Sequence, residues 1–368
     1  MYGTDSSHAV PTEGVTGNVT TNSGDAVATG ADFTVNGEAS GLYHAIYGGH
    51  KADFSVENNT VKIKDEITLV AEGFTPKAVY GGYSNDDVEN NIVIVENGAA
   101  ITGDIYGGYS YGYGTVSGNN VYIYGNVTSD VYAGRSQTST ATGNTVTLGD
   151  KNDPTNKVSI GGSVVLNAIV SEATSGGTLN VYNSGHEVGG YLLSHHEDWL
   201  ATGATINFYI NSQDMDQAGS KTILSVNNMS YLDGVTINAG VRNAGSVKKG
   251  DKIVLIAING GGASLYVDRD TKFNTMTPSD GIMKANLKIQ LCGSGGTPVD
   301  GLVEANGKII ATALNDAEAD LGPDSAAKSP VETMAASVSL INAGADMMAG
   351  EAMTGAAQST AISAAEGS

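Results

Sequence analysis

Asn58-Asn59-Thr60-Val61-Lys62-Ile63 recurs as Asn90-Asn91-Ile92-Val93-Ile94-Val95 and as Asn119-Asn120-Val121-Tyr122-Ile123-Tyr124. Weaker copies begin at Gly143, Gly176, Gly203 and Gly234, so the block returns about every 29 residues. Each copy is a small polar turn followed by apolar and polar residues in alternation, the pattern of a short strand with one buried face. A second block falls between copies of the first: Ile46-Tyr47-Gly48-Gly49, Val79-Tyr80-Gly81-Gly82, Ile105-Tyr106-Gly107-Gly108 and Val131-Tyr132-Ala133-Gly134. It reads as another short strand, stopped by glycine.

Strands this short cannot bury a face alone. Stacked at one turn per repeat they share a continuous core. The expected fold is therefore all-β: a right-handed parallel β-helix with three sheets over residues 31–247, after an irregular, low-complexity stretch at 1–30. Propeller blades need four strands and about 40 residues, too many for this period. Asn59, Asn91, Asn120 and Asn144 hold one repeat position and are expected to stack as a ladder of amides. Tyr47, Tyr80, Tyr106 and Tyr132 should do the same with their rings. Repeat lengths vary, so extra residues must loop out, most clearly at Gly149–Asn156.

From Lys248 the rhythm changes, with longer strands around Gly250–Ile256 and Gly307–Thr312. An open last rung invites edge-to-edge aggregation, so 248–313 is expected to be a β cap. A polar linker (314–328) leads to an α-helix over 329–358. Ser329 is its N-cap, Pro330 sits at N1 and Glu332 at N3 completes a capping box. Met334, Val338, Ile341 and Met348 line one apolar stripe. A disordered tail, 359–368, closes the chain.

Composition narrows function. With 18 basic and 39 acidic residues the net charge is −21, which repels phosphate backbones and argues against nucleic-acid partners. No apolar run reaches the 18 residues of a membrane-spanning helix. A single cysteine, Cys292, permits no internal disulfide and reads as a small buried hydrophobe.

Candidate chemistry is sparse. Ser194-His195-His196-Glu197-Asp198-Trp199 holds metal-ligand residue types, but adjacent residues in a strand point to opposite faces, so a solvated loop is expected. Asp86, Asp87, Asp150, Asp153 and His186 would serve a β-helical glycan hydrolase only if two carboxylates flanked one groove. No Gly-x-Ser-x-Gly elbow is present. No cofactor, metal site or catalytic residue is expected. Tyrosine is the enriched candidate: 11 of 17 fall between Tyr43 and Tyr132. Tyr83, Tyr109, Tyr111 and Tyr113 follow the glycines, where turns or loops are expected, and can stack on sugars or anchor a protein partner.

A Tyr-Gly-Gly solenoid, a differently paced cap, a polar linker and then Ser-Pro-Val-Glu-Thr-Met-Ala-Ala-Ser-Val-Ser-Leu-Ile-Asn-Ala-Gly-Ala-Asp (Ser329–Asp346) resembles the autotransporters of Gram-negative bacteria. The resemblance implies a non-enzymatic passenger domain exported by type V secretion. It would be displayed at the outer membrane and cell surface, or released from it, as an adhesin or other surface-interaction protein. Its partners would be its own translocator barrel and a protein or glycan on a host or neighbouring cell. Residues 248–313 would be autochaperone-like. Met334, Val338, Ile341 and Met348 would lie on a helix threading the barrel pore. The opening residues show no basic start with an apolar run, and no amphipathic barrel strands occur. On this resemblance the chain is expected to be a piece of a longer precursor. The alternative reading is a polysaccharide-degrading enzyme that uses the acidic loops.

Overall fold

The computed structural model describes residues 15–17, 28–29, 32–35, 45–51, 53–64, 66–69, 77–169, 176–193, 203–261, 263–278, 283–299 and 303–319. The expected helix, with Met334, Val338, Ile341 and Met348, lies outside them. So do the tail, the linker beyond 319 and the 194–199 cluster. Among the described residues the chain is all-β with long parallel sheets, compatible with a β-solenoid.

The first repeat block builds the longest sheet. Its strands Asp32–Val35, Thr60–Ile63, Ile92–Val95, Asn120–Ile123, Thr145–Leu148, Thr178–Tyr182, Thr205–Asn211, Thr236–Arg242 and Lys272–Thr275 pair in parallel, in chain order. Val61, Val93, Val121, Val146, Leu179, Ile206 and Ile237 lie in register and are fully buried. Such side chains contribute about 1.5–3 kcal/mol each by leaving water. A second sheet runs from Glu66–Thr68 to Lys252–Ile258 by the same rule. The Tyr-Gly-Gly block forms a third, of Ala45–Lys51, Ala78–Ser84, Asp104–Ser110, Val131–Ser136 and Val164–Ile169.

Four sheets, rather than the expected three, make up the early turns. Two-residue strands, Ala28–Thr29, Val56–Glu57, Val88–Glu89, Val116–Ser117 and Ala141–Thr142, pair at one corner. They are too short to show a period in sequence. The stretch expected to be irregular also contributes, since Val15–Gly17 pairs antiparallel with Asp32–Val35.

Every copy of the first block enters through a left-handed residue. The φ angles are 58° at Asn58, 55° at Asn90, 64° at Gly118, 64° at Gly143, 76° at Gly176, 79° at Gly203 and 68° at Gly234. Only glycine and asparagine adopt this conformation at low cost, which is why the position holds nothing else.

The change of rhythm at Lys248 is not a change of pairing. Lys252–Ile258, Ser264–Tyr266 and Lys272–Thr275 still pair in parallel with the preceding turn. Antiparallel pairing takes over with Leu287–Cys292, Val303–Ala305 and Lys308–Ala313, the last lying against Lys252–Ile258. Glu318–Ala319, within the expected linker, pairs with Met283–Lys284.

Candidate interaction face

Inside the coil the asparagines form an amide ladder. Asn59 Nδ2 donates to Asn91 Oδ1 (2.9 Å), Asn91 to Asn119 (3.0 Å), Asn119 to Asn144 (3.0 Å) and Asn144 to Asn167 (2.7 Å). The second N–H of Asn91, Asn119 and Asn144 reaches the carbonyls of Val56, Val88 and Val116, so these buried amides are satisfied. The expectation of Asn120 in this ladder is corrected: the member is Asn119. Asn120 pairs with Ile92 on the half-buried outer phase and bonds back to the Gly118 carbonyl. A one-residue shift moves a strand residue to the opposite face.

The ladder explains the second glycine of each Tyr-Gly-Gly. A Cβ on Gly82 would stand 2.6 Å from Asn91 Nδ2, and one on Gly108 would stand 2.6 Å from Asn119 Nδ2. The first glycine marks an irregularity: Tyr80 pairs with Tyr106 and Gly82 with Gly108, while Gly81 is passed over. Alternation restarts there, so Tyr80 and Tyr83, three residues apart, face the same way with ring centroids 4.9 Å apart. Val79 points instead into the main core.

The outcome is a tyrosine-rich face turned away from that core, built of two adjoining rows. Tyr47, Tyr80, Tyr106 and Tyr132 stack with centroids 5.0, 5.0 and 4.8 Å apart and interplanar angles of 6°, 10° and 4°. His50, Tyr83, Tyr109 and Arg135 form the second row by strand register. Tyr80 in the centre is only 1% exposed; Tyr83, Tyr109, Tyr132 and Arg135 are half-buried. Tyr83 and Tyr109 therefore belong to strands, not to turns or loops as expected: the glycine irregularity lets the strand run on past Gly-Gly. Tyr111 follows the strand and stacks on Tyr83 (4.9 Å), and Tyr113 stands 83% exposed in the turn beyond.

Polar groups edge the face. The Tyr106 hydroxyl donates to Asp104 Oδ2 and that of Tyr132 to Asp130 Oδ2, both at 3.4 Å. Gln137 Nε2 donates to the Tyr109 hydroxyl (2.8 Å). The Arg135 guanidinium lies 5.6 Å from the Tyr109 ring centre and 5.5 Å from that of Tyr132, within cation–π range. Burial pushes the hydroxyls of Tyr80, Tyr106 and Tyr132 well above the ordinary phenol range. Asp104 and Asp130 push Tyr106 and Tyr132 further, and Arg135 works against them. These hydroxyls stay protonated; Tyr80 and Tyr106 are buried, and the members of the two rows open to a partner are the half-buried Tyr83, Tyr109, Tyr132 and Arg135.

The carboxylates weighed for glycan cleavage serve turns. Asp87 Oδ1 accepts the Thr115 N–H (2.7 Å), between the tyrosine sheet and the corner strands. Asp150 and Asp153 lie in the 149–156 loop between the first and second sheets, where Asp150 accepts the Asn152 N–H and Asp153 accepts Thr155 N–H and Oγ1–H. His186 is buried: the Val158 N–H donates to its Nδ1 (3.0 Å), and its Nε2–H donates to the Tyr182 carbonyl. Burial lowers its pKa and those two bonds fit the neutral ring. Cys292 is buried and its thiol pKa is raised by burial. No cluster of three or more His, Cys, Asp or Glu suited to a metal occurs among the described residues, and no helix among them is long and apolar enough to cross a membrane.

Sequence reasoning missed a second amide ladder, on the outer phase of the first sheet. Asn207 donates to Asn180 (2.9 Å), Asn238 to Asn207 (2.8 Å) and Asn274 to Asn238 (3.1 Å). Its signal is the Thr-x-Asn shared by the copies that begin at Gly176, Gly203 and Gly234. No protein-family model, curated protein or solved structure matches the chain.

Proposed function

We propose that the chain is a non-enzymatic autotransporter passenger, displayed at or released from the cell surface, that meets a protein or glycan of a host or neighbouring cell through its tyrosine face. The observation that carries this reading is the position of the two rows. Tyr47, Tyr80 and Tyr106 are buried in a cluster of their own, separate from the main core, and beside them Tyr83, Tyr109, Tyr132 and Arg135 remain half-buried, edged by Asp104 and Asp130. Aromatic side chains with polar tips are the residue types that dominate recognition surfaces. Right-handed winding, a capping role for the antiparallel strands within 248–313 and a pore-threading helix through Met334, Val338, Ile341 and Met348 belong to the same reading.

Two measurements test it. Protease added to intact Gram-negative cells that carry the full coding sequence should digest the chain, and labelled chain should bind cells in a way that Tyr83→Ala with Tyr109→Ala abolishes. A chain protected in intact cells, or unchanged binding by a folded double variant, would overturn the reading.

A further inference from the structure

We infer that Asn97-Gly98 is a self-modification site, where the backbone of Gly98 converts the neighbouring side-chain amide to an acid. Asn97 and Gly98 are both exposed. They are the central residues of a turn closed by the Ala99 N–H to the Glu96 carbonyl (3.0 Å), with Gly98 at φ 86°, the signature of a type II turn. A Cβ on Gly98 would meet nothing within 4 Å, so no neighbouring segment crowds the tip of this turn.

The step balances with water as the only co-reactant. Gly98 N attacks Asn97 Cγ. The new C–N bond closes a five-membered succinimide, the Cγ–Nδ2 bond breaks, and ammonia leaves with the proton from Gly98 N. Water then opens one of the two ring carbonyls, giving aspartate or isoaspartate at position 97. No group is oxidised or reduced.

The other described Asn-Gly pairs are held more firmly. At 259–260, the Asn259 N–H is bonded to Val226, the Gly260 carbonyl accepts from Ala263, and a Cβ on Gly260 would collide with the Asn227 carbonyl. At 306–307, the Asn306 N–H is bonded to Ala263, and Gly307 is buried with its carbonyl taken by Ile258.

The change has a structural consequence at a distance. Asn97 Nδ2 donates to Asp153 Oδ2 (3.1 Å), tying this turn to the 149–156 loop. Hydrogen bonds from Thr155 hold the Asp153 carboxyl below the usual carboxylate range, so it is charged at neutral pH. Conversion replaces a donor with a second carboxylate, and the tie becomes a repulsion.

The test incubates the full chain at neutral pH in ¹⁸O-labelled water and follows each Asn-Gly peptide by mass spectrometry. Position 97 should convert ahead of 259 and 306, take up the label and yield isoaspartate. In concentrated urea the three pairs should convert at similar rates, so the ranking in the folded chain reads the fold. Gly98→Ala should slow the reaction about tenfold or more, and Asn97→Gln, with a longer side chain, should all but abolish it. Earlier conversion at 259 or 306 in the folded chain, or an unchanged rate in Gly98→Ala, would overturn the inference.

Discussion

Gly82 and Asn91 are fitted to one another across a turn of the coil: the amide of Asn91 occupies the space a side chain on Gly82 would need. Two motifs that look independent in sequence, Tyr-Gly-Gly and Asn-Asn, are one packing unit. Gly82→Ala should therefore lower stability by about 1–3 kcal/mol through overpacking. Gly261→Ala, where a Cβ meets nothing within 4 Å, should change it by under about 0.5 kcal/mol. Urea denaturation of the two variants checks the contrast.

Asn119 and Asn120 are neighbours with opposite fates. Asn119→Ala removes the acceptor of the Asn91 amide and the donor to Val88, at about 1–3 kcal/mol for each buried group left unsatisfied. Asn120→Ala should cost under about 1 kcal/mol. Equal losses in thermal melts would contradict the observed register.

Among the tyrosines, Tyr80→Ala should cost about 3–5 kcal/mol, because its ring is enclosed by Tyr47, Tyr106, Tyr83 and Tyr109. Tyr113→Ala should be neutral within about 0.5 kcal/mol. Loss of cell binding in Tyr113→Ala at unchanged stability would extend the contact surface into the turn.

His186 gives the fold a pH dependence. Burial depresses its folded pKa below the ordinary 6.5, so the unfolded chain takes up a proton more readily. Its contribution is complete above about pH 6.5 and is lost as pH falls toward the folded pKa. The Lys157 charge nearby acts in the same direction. Stability measured from pH 7.5 to 5 should fall in the wild type and fall less steeply in His186→Gln. Identical slopes would remove His186 as the cause.

Lys308–Ala313 covers the edge of Lys252–Ile258, whose residues after Lys252 are all buried. A chain ending at Met276 leaves that edge open and should aggregate on refolding. Light scattering that matches a chain ending at Ala319 would show that the antiparallel strands are dispensable.

Much of this architecture was legible before any coordinates. The period gave the stacked strands, and the alternation in Thr60–Ile63 and its copies gave the buried phase. What escaped notice lay below the resolution of pattern. Val56–Glu57 and its equivalents have two residues each, and two residues carry no alternation. Asn-Asn at 119–120 looks equivalent to Asn-Asn at 58–59, but Gly118 does the conformational work of Asn58, so Asn119 and not Asn120 matches Asn59. Gly-Gly normally ends a strand, and on that rule Tyr83 and Tyr109 read as turn residues. Here the Gly-Gly resets the pleat and the strand continues past it, with the Asn91 and Asn119 amides packed against its second glycine, a contact that no pattern within the strand announces.

The inner amide ladder also has a direction. From Asn59 through Asn91, Asn119 and Asn144 to Asn167, every side chain donates toward the next rung and accepts from the one before. Their dipoles add along the coil, as peptide dipoles do along a helix, and each bond polarises its neighbours. The column is electrically asymmetric: its side-chain N–H groups point toward Asn167 and its carbonyls toward Asn59. A break at Asn119 splits one run of aligned dipoles into two shorter ones. Its cost should therefore exceed that of the bonds Asn119 itself makes, because the rungs on either side no longer polarise one another.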